Sequence, residues 1–99
     1  MEIKKELDGS KLVFTLSGRL DTTTAPDFEK ELKSSLDGVK ELILDFTGLD
    51  YISSAGLRVL LSAQKLMNAA DGSMKIVGAN DIVKEIFDVT GFSDILTIE

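Results

Sequence analysis

The sequence predicts a single α/β domain. Its sheet is mixed but mostly parallel, opens with an N-terminal β-hairpin and carries packed helices, in the order β-β-α-β-α-β-α-β. Three observations point to this. Short apolar runs alternate with stretches whose apolar residues recur at helical spacing, as in strands joined by crossover helices. Asp-Gly pairs fall at residues 8–9, 37–38 and 71–72, where elements should end. Leu42-Ile43-Leu44-Asp45-Phe46 is apolar but for one residue, as expected of a central strand covered on both faces.

Each element has its own signal. Glu2 to Leu7 is a weak strand of mixed pattern that suits an edge. Asp8-Gly9 turns the chain into Leu12–Leu16, a strand stopped near Gly18. Thr22 to Asp27 starts a helix: a threonine can cap, Pro26 fits the first turn and Asp27 complements the dipole. Phe28, Leu32 and Leu36 form its apolar stripe, and Glu29 and Lys33 pair on its outer face.

After the Leu42–Phe46 strand, a short loop leads to a helix from Ser53 to Ala70. Leu57, Val59, Leu60, Leu61, Ala63, Leu66 and Met67 cover much of its circumference, so it should be the most buried helix. Met74 to Val77 is the next strand. Asn80-Asp81 caps a third helix with Ile82, Val83, Ile86 and Phe87 apolar, Gly91 serves as its C-cap, and Ile95 to Ile98 forms a last strand. Met67 and Met74 read as core filler. Right-handed crossovers make the centre of the sheet parallel.

Composition narrows the function. The 99 residues carry a net charge of -6, which repels a nucleic-acid backbone and suits a partner with a basic docking face. The chain has no Cys and no His. That removes disulfides, thiol catalysis, Ser-His-Asp sites and the usual zinc sites. A Ser-Lys or carboxylate mechanism is not forbidden, but no Gly-x-Ser-x-Gly elbow occurs and the domain is small for a deep pocket. The expectation from composition is a chain with no catalytic residue, cofactor or metal. No apolar run approaches the ~20 residues of a membrane span, and the N-terminus lacks a signal core. These features predict a cytoplasmic protein with no membrane partner.

The most informative stretch is Asp50-Tyr51-Ile52-Ser53-Ser54-Ala55-Gly56-Leu57-Arg58, two hydroxyls where a helix begins. A helix start exposes unpaired N–H groups, and its dipole favours negative charge. Serines there either cap the helix or carry a phosphate in a favourable field. Ser53 is better placed as the N-cap, leaving Ser54 at the first helical position and facing out. Asp21 sits at a strand end, where it serves either a site or a helix-leading Asx turn. Arg58, one turn after Ser54, either pairs with a phosphate or partner acid or is simply solvated. Asp45 and Asp50 bracket the short loop and read as surface charge rather than as metal ligands.

Three motifs in order and spacing resemble the STAS-domain anti-sigma factor antagonists along essentially the whole chain. They are Leu16-Ser17-Gly18-Arg19-Leu20-Asp21 with the threonine-rich helix start, Leu42–Phe46 leading through Leu49-Asp50-Tyr51, and Ile52–Arg58. The resemblance implies a STAS domain over residues 1–99 and a partner-switching role. In that role the unphosphorylated protein binds an anti-sigma factor, a serine kinase of the histidine-kinase-like ATPase fold. The kinase phosphorylates it and so ejects it, and a PP2C-type phosphatase restores it. Many members have Asp-Ser-Ser/Thr-Gly-Leu at the helix start, whereas this chain has Ser53-Ser54-Ala55-Gly56-Leu57. Aligned on Gly-Leu, Ser54 takes the first hydroxyl position and is the implied phosphoacceptor, with Ser53 as the alternative. Asp21, Thr22, Thr23 and Thr24, with Ser53, Ser54, Ala55, Gly56, Leu57 and Arg58, form the implied partner surface. A STAS scaffold or signalling module without sigma-factor output is the alternative function.

Overall fold

A computed structural model describes all 99 residues, Met1–Glu99. The elements are β1 (Glu2–Asp8), β2 (Lys11–Leu20), α1 (Ala25–Ser35), β3 (Glu41–Ile52), α2 (Ser54–Ala69), β4 (Ser73–Val77), α3 (Asp81–Val89), a 3-10 turn (Phe92–Asp94) and β5 (Thr97–Ile98). The strands stand in the order β1-β2-β3-β4-β5. β1 pairs antiparallel with β2, and the other pairs are parallel. The expected order, the initial hairpin and the central place of the Leu42–Phe46 segment are all present.

Because the strand order never reverses, right-handed crossovers bring all three helices to one face. Leu12, Phe14 and Leu16, Leu42, Leu44 and Phe46, and Met74 and Ile76 supply that face of the sheet. Phe28 and Leu32 of α1, Leu57, Leu60 and Ala63 of α2, and Val83 and Phe87 of α3 pack onto it. The Phe14 and Phe28 rings meet edge to face, 5.8 Å between centroids. The expected two-sided cover of the central strand is therefore corrected. Ile43 is buried but lies outside the helix-covered core, in register with Val13 and Lys75 on the open face.

Two strands run further than expected. β2 does not stop at Gly18; that residue adopts φ +99, and the β2–β3 register shifts just after it. β3 continues to Ile52, so the residues after Phe46 are strand rather than loop, and Asp45 and Asp50 do not bracket a loop. β4 ends opposite Asp45, so from Phe46 onward β2 is the only strand paired with β3. This overhang carries the start of α2 out beside the end of β2.

Helix ends follow local chemistry. α1 has no side-chain cap from Thr24, contrary to the expected threonine cap; the Asp21 carbonyl accepts from Ala25 N at 2.8 Å, and Pro26 in the first turn has no N–H to satisfy. Its outer face carries the Glu29–Lys33 pair at 3.7 Å. α2 has the largest buried set of the three helices, but Leu66 is exposed and Leu61 only half-buried. Asn80 caps α3, its Oδ1 accepting from Val83 N at 2.8 Å. Thr90 is the α3 C-cap, and Gly91 follows it at φ +80. Ile82, expected among the apolar packing positions of α3, points to solvent.

Candidate functional site

The site is built where β2 and β3 end together. Ile52 pairs with Leu20, and Ser53 N donates to Leu20 O at 2.9 Å. That bond fixes the start of α2 beside the start of the α1 loop. The expected neighbours, the Asp21–Thr24 loop and the Ser53–Arg58 helix start, therefore share one rim of the sheet. The Asp8-Gly9 turn lies at the other end of β2.

Ser53 is extended at φ -98 and ψ 176, and its Oγ accepts from Gly56 N at 3.4 Å. Its carbonyl accepts from Leu57 N at 2.9 Å. Ser53 is thus the N-cap of α2, with both its backbone groups and its hydroxyl engaged. Ser54 is the first helical residue and is exposed, as expected. The first turn of α2 contains no acidic residue, so the helix supplies no carboxylate of its own to offset the positive end of its dipole.

Gly56 is required here by space. A Cβ at this position would lie 2.8 Å from both Ile52 Cγ1 and Leu20 Cγ, and 3.0 Å from Leu20 O. The first turn of α2 rests directly on the two strand ends, and only a residue without a side chain allows that approach. Leu57 beside it is buried, which anchors the turn from the core side.

Asp21 organises the facing loop. Its Oδ1 accepts from Thr23 Oγ at 2.7 Å, Thr23 N at 3.0 Å and Thr24 N at 3.2 Å. This is the Asx turn weighed from sequence, and it occupies the free N–H groups ahead of α1. The Thr24 hydroxyl donates to Arg19 O at 2.8 Å and accepts from Asp21 N at 2.8 Å. Its approach to Asp21 Oδ1 is longer, 3.3 Å, so the single hydroxyl proton serves Arg19 O.

The Thr23 hydroxyl bond is the main cause of an Asp21 pKa below its ordinary value; partial desolvation opposes it, and the Thr23 and Thr24 N–H groups add to it. A depressed carboxylate contributes stability that is present above its unfolded pKa and is lost as pH falls through the folded pKa. The loop should therefore hold across neutral pH and loosen only at acid pH, below the ordinary carboxylate range. An NMR titration of the Asp21 carboxyl carbon checks this. A midpoint below the ordinary aspartate value is expected, and a midpoint at or above it contradicts the hydrogen-bonded loop.

Two residues of the rim were not singled out from sequence. The Arg19 guanidinium lies 4.6 Å from the centroid of the Tyr51 ring, and Arg19 Nε is 3.7 Å from Asp21 Oδ2. Arg19 and Tyr51 are partners in the β2–β3 register. A cation thus sits between the Asp21 loop and the strand that leads into Ser53. Thr22, Ala55 and Arg58 line one shallow cleft between α1 and α2, so these three expected residues come together. Arg58 is exposed. Asp45 Oδ1 accepts from Thr47 N at 2.9 Å and Thr47 Oγ at 2.6 Å, a local turn contact. No group of three or more acidic side chains is gathered closely enough to hold a metal ion.

The fold is a single α/β domain, and its rim sets a capped helix start beside a hydrogen-bonded loop at one end of the sheet. The STAS domain family model matches residues 2–99, and the chain belongs to that family. It is 35% identical over 94 residues to BtrV of Bordetella bronchiseptica, named as an anti-sigma factor antagonist, spanning 94% of this chain and 80% of that protein. An anti-sigma factor antagonist from Mycobacterium paratuberculosis superposes with a TM-score of 0.86 at 20% identity, over 98% of this chain and 83% of that one. SpoIIAA, an anti-sigma factor antagonist, superposes with a TM-score of 0.78 in both its unphosphorylated and phosphorylated forms. Identity is 16% and 17%, over 99% of this chain and 87% and 91% of theirs. No helix is long and apolar enough to cross a membrane.

Proposed function

We propose that this protein is an anti-sigma factor antagonist that works by partner switching in the cytoplasm, as a regulator rather than an enzyme. In its unmodified state it docks an anti-sigma factor through the rim formed by Asp21–Thr24 and Ser53–Arg58. The anti-sigma factor is a serine kinase of the histidine-kinase-like ATPase fold. It phosphorylates Ser54 and thereby loses its hold, and a PP2C-type phosphatase resets the protein.

The observation that carries this reading is the unequal use of two adjacent serines. Ser53 is spent on the cap, while Ser54 offers an exposed hydroxyl at an uncompensated helix start. A phosphate there meets free N–H groups and the positive end of the helix dipole, so the domain can carry it without unfolding. The names of the sequence and structural relatives support the antagonist role.

The docking role of Asp21 is testable by substitution. Asp21→Ala alone is ambiguous, because Asp21 also holds the loop. Asp21→Asn keeps an acceptor for Thr23 and replaces the charged Oδ2 that faces Arg19 Nε with a neutral amide NH2. We expect Asp21→Asn to melt within a few degrees of the wild type and to bind the anti-sigma factor at least tenfold more weakly by titration calorimetry. Unchanged affinity in Asp21→Asn, or cross-links mapping the partner to the Asp8-Gly9 end, would remove the rim from the interface.

A further inference from the structure

Helix α3 carries a second apolar stripe that the core does not use. Val83 and Phe87 face the core, whereas Ile82 is 59% exposed and Val89 77% exposed. Ile82, Ile86 and Val89 stand four and three residues apart and so line one face, with Ile86 half-buried between the other two. Asp81, Glu85 and Asp88 lie on the same helix, with Lys84 as its one basic residue.

This arrangement selects its occupant. A second copy would bring these acids against the same acids, and an anionic membrane or a nucleic acid would be repelled by them. A protein segment with apolar side chains bordered by Lys or Arg meets both the stripe and its charge.

The stripe also begins close to the rim. Asn80, the N-cap of α3, donates from Nδ2 to Leu49 O at 3.1 Å. Leu49 lies three residues before Ile52, about 10 Å of strand, and Ser53 follows. A standard interface of about 800 Å² per partner spans both places.

We propose that the anti-sigma factor docked on the α2 start also lays a basic-bordered apolar segment along Ile82, Ile86 and Val89. This second contact sets which anti-sigma factor is accepted. The proposal rests on the partner-switching reading above and adds the surface that gives it specificity.

The test uses as its probe the kinase retained from native cells by immobilised Ser54→Ala protein and then purified. Its affinity is measured against the wild type, Ile82→Asp, Val89→Asp, Glu85→Lys and Asp21→Asn. Both stripe substitutions should weaken binding tenfold or more with melting temperature unchanged, since both side chains are exposed. Glu85→Lys should weaken binding and flatten its salt dependence. Wild-type affinity in both stripe variants, with Asp21→Asn weakened, overturns the α3 contact and leaves the rim reading standing. Weakening in the stripe variants with none in Asp21→Asn keeps the α3 contact and overturns the rim reading. Self-association in sedimentation that Val89→Asp abolishes, or binding to anionic vesicles that it abolishes, assigns the stripe to another occupant and overturns the proposal.

Discussion

A phosphate on Ser54 is expected to weaken binding to the anti-sigma factor roughly a hundredfold, a penalty of about 3 kcal/mol. It adds about −1.5 to −2 charges and three strong acceptor oxygens to a position that offers the partner a small neutral hydroxyl. The domain itself should remain folded, because the first turn of α2 carries no acidic residue and the helix dipole favours the new charge. The loss therefore falls on the complex, where a surface shaped for a hydroxyl meets a bulky dianion. Ser54→Asp should fold and bind poorly. Ser54→Ala should bind constitutively and resist phosphorylation. Titration calorimetry of both variants, beside thermal melts, reads binding and folding separately. A Ser54→Asp protein that binds as tightly as the wild type contradicts the expectation.

The largest effect on stability is expected from Leu60→Ala, at about 2–5 kcal/mol. Leu60 is fully buried, on the face of α2 turned to the sheet. Truncation there removes buried apolar contacts and leaves a cavity in an interior packed from Leu42, Leu44 and Phe46 below and α2 above. Leu66→Ala provides the internal comparison: Leu66 lies on the same helix but is exposed, and should cost well under 1 kcal/mol. Denaturant melts of the two variants check the contrast. Equal midpoints would contradict the packing of α2 on the sheet.

The contrast between Leu60 and Leu66 marks what apolar pattern alone reveals. The strand-helix alternation, the central Leu42–Phe46 strand and the cap at Ser53 were all legible because each rests on local chemistry. Which apolar residues are buried was less legible. All three helices pack on one face of the sheet, so each buries a limited stripe, and Leu66 and Ile82 fall outside it. The same one-sided packing leaves Ile43 without a helix above it, although its run looks two-sided.

The second half of β3 was hidden for a related reason. From Phe46 to Ile52 it is paired with β2 only, so one edge is free of the sheet. A strand in that setting tolerates Thr47, Gly48 and Asp50, which imitate a loop in sequence. The Arg19–Tyr51 contact depends on a register shift just after Gly18, a long-range feature that no local pattern reports. Asp21 was recognised in both its possible roles. The structure establishes the Asx turn, and that turn holds the carboxylate on the rim beside the start of α2.

The most direct test of the switch is phosphopeptide mapping after incubation with the bound kinase and ATP, with complex formation followed in the same reaction. Label on Ser54 and release of the kinase, reversed by a PP2C-type phosphatase, is the expected result. Label on Ser53 instead would move the acceptor into the cap and contradict the assignment of roles to the two serines. No label on either serine, from a kinase that binds and remains active, would contradict the switch itself.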